Sequence, residues 1–437
     1  MIVNKALEKI PVVVEAGPRV DRLHWQRRAT QIGFLVAALL IPISGLFRID
    51  PVGGTFVVLD HQIWFSDFFL VFGLWVALAS GLVVTYSAVG TAFCGWMCPQ
   101  NTFAEWANRL THKLLGRRAE VELDGRPMRV SVGKNKWLNW LLLGLILFGA
   151  SLLIALIPLF YFYPPEVVWS FVTLRDDARL AGSLHWIYSM FVIIVFLDIA
   201  VIRHFWCRFM CIYKVWQHSF KTRQTLHVKH DNSFAEECAH CNYCVTSCFV
   251  GIDPRHTETF DACVNCGECI VACGTIRARR SGDPSLLSFE MGERAADRGN
   301  RLIGLSSLFR RVTWTVPLTL LGLGMFVWGL WTYQPYHLAA YHADTLQADQ
   351  VHDYRISIAH KLYRPGTVNV GIAGLPEGSY KLETETAHFA TAERVDIRLT
   401  INDSLAPGLY PFLINAESTD GWRDSFRVHH FIAGKRL

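Results

Sequence analysis

Residues 238–248 read Cys238-Ala-His-Cys241-Asn-Tyr-Cys244-Val-Thr-Ser-Cys248, and residues 263–273 read Cys263-Val-Asn-Cys266-Gly-Glu-Cys269-Ile-Val-Ala-Cys273. Each run spaces three cysteines by two residues and the fourth by three. Three thiolates at two-residue gaps wrap three corners of an iron–sulfur cubane, because the loop turns back once per ligand, and the fourth cysteine reaches the neighbouring cluster. The spacing therefore assigns Cys238, Cys241, Cys244 and Cys273 to one [4Fe–4S] cluster. Cys263, Cys266, Cys269 and Cys248 go to a second. A zinc site is disfavoured, since such sites pair two C-x-x-C units and do not repeat a four-cysteine run. Phe249 and Gly274 stand where a Pro usually follows the fourth cysteine. That Pro is not a ligand, so the chemistry is unaffected.

The remaining four of the 12 cysteines form two pairs, Cys94-Gly-Trp-Met-Cys98-Pro99 and Cys207-Arg-Phe-Met-Cys211. With every cysteine in a spaced group, none is left for a disulfide framework, which points to reduced thiolates in a reducing compartment. Positions i and i+4 of a helix face the same way. Each pair follows an apolar stretch, so the four sulfurs are expected to converge at the inner membrane edge. Soft thiolates there suit Cu(I), zinc or another iron–sulfur centre; the plainer alternative is packing as small buried residues. Met97 and Met210 occupy matching places, where packing is expected over thioether ligation. His204, His218, His227 and His230 lie near the same edge and are expected to be solvated. His337, His342, His429 and His430 read as surface residues. No histidine pair faces another at membrane depth, so haem b is not expected. No Gly-rich dinucleotide fingerprint is present.

The 437 residues are 51% hydrophobic and 18% charged, with 15 Trp and 28 Phe, a balance that fits helices crossing a membrane with aromatic belts. Five stretches have the length and apolarity of spans: 32–47, 65–89, 137–162, 184–202 and 312–331. Lys5, Lys9, Arg19, Arg22, Arg27 and Arg28 precede the first, and Arg109, Lys113, Arg117, Arg118, Arg126, Arg129, Lys134 and Lys136 lie between the second and third. The alternate loops are poor in Lys and Arg. This asymmetry places the N-terminus and the cysteine-rich segment inside and the C-terminus outside. The net charge of +5 is accounted for by these loops, and no nucleic-acid surface is indicated. The start of the sequence has no apolar run followed by a cleavage site, so no cleaved secretory signal is expected.

Beyond the fifth span the pattern changes. Val395, Ile397, Leu399 and Ile401 alternate with polar residues, as do Tyr354, Ile356 and Ile358. Turn signals at Pro365-Gly366, Pro376-Glu377-Gly378, Asn402-Asp403 and Pro407-Gly408 punctuate the region, predicting an immunoglobulin-like β-sandwich. The expected architecture is a polytopic α-helical membrane protein with a cytoplasmic bacterial-type 2[4Fe–4S] ferredoxin domain. It divides as a cytoplasmic segment 1–31, spans one to four at 32–203, a ferredoxin-like domain at 204–311, span five at 312–332 and a periplasmic β domain at 345–437.

The segments FCGWMCPQNTFAEW, FWCRFMCIYKVWQ and CAHCNYCVTSCFVGIDPRHTETFDACVNCGECIVACG, with Gly251-Ile252-Asp253 and Arg255 after the first run, resemble the FixG/CcoG family. Two departures stand out: Ile212 replaces the Pro expected after Cys211, and Phe249 the Pro after Cys248. The resemblance implies a bacterial inner-membrane factor for assembly of a cbb-type cytochrome c oxidase, acting as a cupric reductase. Electrons from a cytoplasmic donor would pass the two clusters and reduce Cu(II) at Cys94, Cys98, Cys207 and Cys211. Its partners would be oxidase subunits or copper chaperones; self-association as a homodimer is left open. An alternative resemblance is to NapH- or NosR-like quinol dehydrogenase subunits, which pass electrons from membrane quinol to a partner reductase. The fifth span and β domain argue against the first, and the lack of a flavin-binding domain against the second.

Overall fold

The computed structural model describes residues 18–50, 54–59, 61–116, 119–121, 127–231, 233, 238, 241–258, 260–280, 284–292, 307–342, 353–402 and 405–432. Lys5, Lys9, Arg117, Arg118, Arg126 and Asp403 lie outside the described residues. The chain forms two units, residues 1–43 with 74–324, and residues 44–73 with 325–437.

The helices in chain order are α1 (Pro18–Ile43), α2 (Phe68–Val89), α3 (Ala92–Trp96), α4 (Pro99–Leu115), α5 (Trp137–Phe160), α6 (Pro165–Val172), α7 (Leu184–Leu197), α8 (Ile212–Phe220), α9 (Tyr243–Thr246), α10 (Glu268–Arg280) and α11 (Ser307–Trp331). Among the described residues, four helical segments are long and apolar enough to cross a membrane: Phe68–Val89, Trp137–Phe160, Leu184–Ile202 and Leu308–Trp331. The 24 residues of α5 carry no charge, and at 1.5 Å per residue extend about 36 Å, enough for a bilayer core. Large side chains such as Trp137, Leu153, Ile194 and Leu320 stand exposed along these helices. Lipid suits such a surface because the backbone satisfies its own hydrogen bonds. The first candidate span, 32–47, is the second half of α1, which stops at Ile43; Phe47 already belongs to a strand. α4 is amphipathic, burying Ala107 and Leu115 against Leu143 and Leu147 of α5.

The first unit also holds a two-stranded ribbon, β4 (His227–His230) with β5 (Leu287–Glu290), beside the cysteine runs. The second unit begins with the meander β1 (Phe47–Asp50), β2 (Thr55–Val58) and β3 (His61–Ile63). It continues with β6 (Tyr336–His342), β7 (Asp353–His360), β8 (Gly366–Ala373), β9 (Tyr380–Leu382), β10 (Thr386–Phe389), β11 (Glu393–Ile401), β12 (Gly408–Ser418) and β13 (Arg423–Ile432). These make two four-stranded antiparallel sheets, ordered β10-β8-β12-β13 and β6-β7-β11-β9. Ile397, Leu399 and Ile401 bury alternate positions of β11, and meet Val368, Phe412 and Ile414 of the other sheet in one core. Ile397 lies opposite Ile356, and Leu399 opposite Tyr354. β6 pairs along β7 ahead of residue 345, so the sheet starts earlier than the alternation suggests. Lys361, almost fully buried, reaches the Asp67 carboxylate at 2.9 Å and lies over the Trp64 ring.

Candidate metal centres

The two cysteine runs fold back on each other. Burial raises the Cys238 thiol, and the charges of Cys273 and Cys241 add to it. Burial likewise pushes Cys244 up to about 12, with Cys273 and Cys241 again among its neighbours. On the other side, Cys263 is pushed up to about 12 by burial and then by Asp261, with Cys248 contributing. Cys269 feels Cys266, Cys263 and Cys248, and also Cys244. The last cysteine of each run thus sits among the first three of the other, and the two quartets adjoin. Cys244, Cys269, Val228 and Leu287 share one small core. A cluster needs four sulfurs around a shared volume, and Cys244 and Cys269 are the buried members of the two quartets. Burial raises Cys238, Cys244, Cys263, Cys266 and Cys269 above the ordinary thiol value, so cluster binding at these sulfurs releases protons.

The distinctive Gly251-Ile252-Asp253-Pro254-Arg255 segment has a structural role. Gly251 takes φ +69, where a side chain would be strained. Arg255 clasps Asp253 at 2.6 Å and donates to the Cys238 carbonyl at 3.3 Å. Phe249, in the place of the usual Pro, stacks on His204 with ring centres 4.4 Å apart.

The four membrane-edge cysteines also come together. Cys94 is pushed up to about 12 by burial, then by Cys98 and Cys211. Burial raises Cys207 further, followed by Cys98, Cys94 and Cys211. The convergence does not arise from a shared helical face. Cys94 lies in the short α3, while Cys98 is the N-cap of α4 with extended backbone, φ −60 and ψ 122. Cys207 lies in a π-helical turn, Trp206–Met210, and Cys211 is the N-cap of α8 with φ −74 and ψ 104. The second cysteine of each pair therefore plays the same part. Pro99 at the first helical position of α4 is matched by Ile212 in α8; Pro is favoured there but not required. Among the described residues no three His, Cys, Asp or Glu side chains are grouped closely enough to hold a single metal ion.

Several groups hold this site against the second cysteine run. Thr91 Oγ1 donates to the Cys263 carbonyl at 2.7 Å, and Trp96 Nε1 to the Asn265 carbonyl at 2.9 Å. Lys214, buried, donates from Nζ to the carbonyls of Cys207 at 3.2 Å and Ala262 at 3.1 Å. Cys94 Sγ donates to Gln217 Oε1 at 3.0 Å. Gly95 packs so tightly that a Cβ there would lie 2.5 Å from the Val264 carbonyl oxygen. Arg27, 1% exposed, donates from Nε to the Gly95 carbonyl at 2.7 Å and pairs with both Glu105 and Glu268. Burial opposes the charge of Glu268, but His24 and Arg27 hold its carboxyl down to about 2.

Glu105, Lys214, Gln217, Asn265 and Glu268 lie inside the segments that carry the family resemblance, and Arg27 among the basic residues before the first span, but no role was read for any of them. Their only signal was polarity beside cysteine runs or at the start of an apolar stretch. The histidines correct the expectation of solvation: His204 and His227 are buried, and His430 is buried with Nδ1 2.8 Å from the Tyr354 hydroxyl. His337, His342 and His429 are exposed as expected.

Comparison with known proteins agrees with this chemistry. A family described as a 4Fe–4S binding domain matches residues 71–118, and one described as a 4Fe–4S dicluster domain matches residues 217–292. Protein RdxA of Cereibacter sphaeroides is 28% identical over 61% of this chain and 60% of its own length. The nitrogen fixation protein FixG of Rhizobium meliloti is 25% identical over 55% of this chain and 48% of its own. The ferredoxin-type protein NapH of Haemophilus influenzae is 23% identical over 45% and 64%. The chain thus spans roughly half to three-fifths of the first two relatives. The structure of a FixG-related protein from Vibrio parahaemolyticus aligns with 23% of this chain and 97% of its own at 11% identity, with a TM-score of 0.19 that carries no argument. The resemblance to the FixG/CcoG family holds, with two [4Fe–4S] clusters as the implied cofactors and a membrane location.

Proposed function

We propose that the chain passes single electrons through its clusters to the site of Cys94, Cys98, Cys207 and Cys211, where Cu(II) is reduced to Cu(I). The coarser reading, an iron–sulfur membrane protein of electron transfer, is common to the FixG, RdxA and NapH type. In this reading Cys238, Cys241, Cys244 and Cys273 hold the first cluster, and Cys263, Cys266, Cys269 and Cys248 the second. When bound, each cluster exchanges one electron. The observation that carries the proposal is the packing of the Cys94–Cys98 loop directly on the second run, through Gly95, Thr91 and Trp96. That contact makes the second cluster the proximal donor and the first the distal one.

The residues of the chain supply the setting. Lys214 spans both sites by its two carbonyl bonds, and its charge offsets thiolate charge at Cys94, Cys207 and Cys263. Soft thiolates stabilise Cu(I) over Cu(II), which favours the reduction. By resemblance the product serves assembly of a cbb-type oxidase in the bacterial inner membrane. A cytoplasmic donor would feed the clusters, and an immunoglobulin-like periplasmic domain would dock oxidase subunits or a copper carrier. Ser substitutions at the four cysteines should abolish Cu(II) reduction by dithionite-reduced protein while leaving the cluster spectra intact. Unchanged reduction would remove these cysteines from the mechanism.

A second reading has a specific observation behind it. The 4Fe–4S binding family covers Cys94 and Cys98, and the four sulfurs are not grouped for a single ion. On this reading they hold a further iron–sulfur centre. Iron and labile sulfide per chain decide between the two: eight irons fit two clusters and copper chemistry, while a larger count that falls to eight on Ser substitution at Cys94 fits the third centre.

A further inference from the structure

A cavity of about 430 Å³ lies in the first unit between α1, α4 and α5, with no cysteine among its lining residues. Its walls are apolar, with Leu35, Trp106 and Ile154 among them, and its polar end is formed by Arg28, Gln31 and Arg109. The polar end presents donors. Gln31 is 1% exposed; its amide oxygen is taken by Arg28 Nη1 at 2.8 Å, which leaves Nε2 buried with no partner among the described residues. Arg28 Nε is buried and unpartnered as well. An orphaned buried donor costs free energy unless an acceptor arrives.

The charge around it is unbalanced. Arg27, Arg28 and Arg109 gather about Glu105 and Glu268, three cations to two carboxylates, and Arg27 and Arg28 both bind Glu105. Burial and then the neighbouring Arg28 charge push the Arg109 guanidinium below its ordinary value. An anion at the polar end would balance the excess arginine charge. The apolar end continues onto exposed Ile32 and Leu153, the surface that suits lipid.

We propose that this cavity is a binding site for an acidic phospholipid, its phosphate held by Arg28, Gln31 Nε2 and Arg109 and one acyl chain lying along Leu35, Trp106 and Ile154. A neutral isoprenoid quinone is the competing occupant; its carbonyl oxygens would accept from the donors but leave the arginine charge unrelieved. The shared chemistry with free phosphate is the anionic oxygen cluster, and the acyl chain is what separates the two sources.

Native mass spectrometry of the full chain, released from nanodiscs of mixed phosphatidylglycerol and phosphatidylcholine, tests this. One phosphatidylglycerol should remain bound, at least about tenfold preferred over phosphatidylcholine, equivalent to ~1.4 kcal/mol. Arg109→Gln should erase that preference. Ile154→Trp, which fills the apolar end and leaves every charge in place, should cut retention of either lipid; it guards against a misfolded arginine variant. Equal retention of the two lipids, or unchanged retention in both variants, overturns the proposal. So does displacement by an equal concentration of short-chain ubiquinone, or full replacement of the lipid's thermal stabilisation by inorganic phosphate.

Discussion

Replacing Gly95 with Ala tests whether the membrane-edge cysteines and the second cysteine run form one rigid centre. The new Cβ would lie 2.5 Å from the Val264 carbonyl oxygen, 2.8 Å from Cys266 Cα and 2.9 Å from Cys266 N. All three are backbone atoms, so no side chain can swing aside. Ordinary contact begins near 3.4 Å, so the loops must part by about 0.9 Å along the closest line. Forcing such an overlap into a packed interior costs about 1–3 kcal/mol. The parting would also stretch the 2.7 Å bond from Thr91 to the Cys263 carbonyl and the 2.9 Å bond from Trp96. The assay is thermal unfolding of anaerobically purified protein, together with iron content and the electron paramagnetic resonance of the reduced clusters. A drop of several degrees with an altered signal from one cluster only, the second, is expected. Gly149→Ala on α5, where a Cβ meets nothing within 4 Å, is the control and should leave both unchanged. A Gly95→Ala protein with wild-type melting and spectra would refute the reasoning, because the two loops would then be free to separate.

Lys361→Met should destabilise the β-sheet unit by about 3–5 kcal/mol, since it strands the largely buried Asp67 carboxylate without its cation; limited proteolysis and thermal melts would register it, and the added change Asp67→Asn should recover part of the loss. His204 is held down to about 3 by burial, then by the charges of Arg203 and Arg27, against an ordinary value of 6.5. The folded protein keeps the imidazole neutral while the unfolded chain protonates it, so stability should fall as pH drops below about 6.5 towards 3. Melting temperatures from pH 7.5 to 5.5 should show that slope in the wild type and a shallower one in His204→Leu. Ile212→Pro should be neutral or stabilise by up to about 1 kcal/mol, because the position opens α8 and Cys211 before it is already extended. Loss of folding would show that the amide of Ile212 is needed.

The cysteine runs were legible as iron–sulfur motifs because ligand spacing is a local property of the chain. Four of the spans were legible from uninterrupted apolarity, as in α5. The half-apolar α1 was not: its polar first half joins the apolar second in a single helix, and periodicity says nothing of where such a helix ends. The way Cys94, Cys98, Cys207 and Cys211 converge was misread as a helical face, because the sequence does not show that Cys98 and Cys211 cap the following helices. The supporting groups were invisible for a different reason. Arg27 and Glu268 stand 241 positions apart, and a lone charge in sequence carries no mark of the partner it will meet.

That separation has a bearing on how the chain is made. Arg27 is translated before either of its acids, and Glu105 follows 78 positions later, so the first ion pair is available before the second. Glu268 arrives only after several apolar helices have emerged, and only then does α1 acquire its second acid. Until that moment α1 is held by one carboxylate that Arg28 also claims. Domains generally fold as units as the chain emerges, N-terminal portions first. Here α1 is latched by a segment translated 241 positions after Arg27, so the final seating of α1 awaits the folding of the second cysteine run.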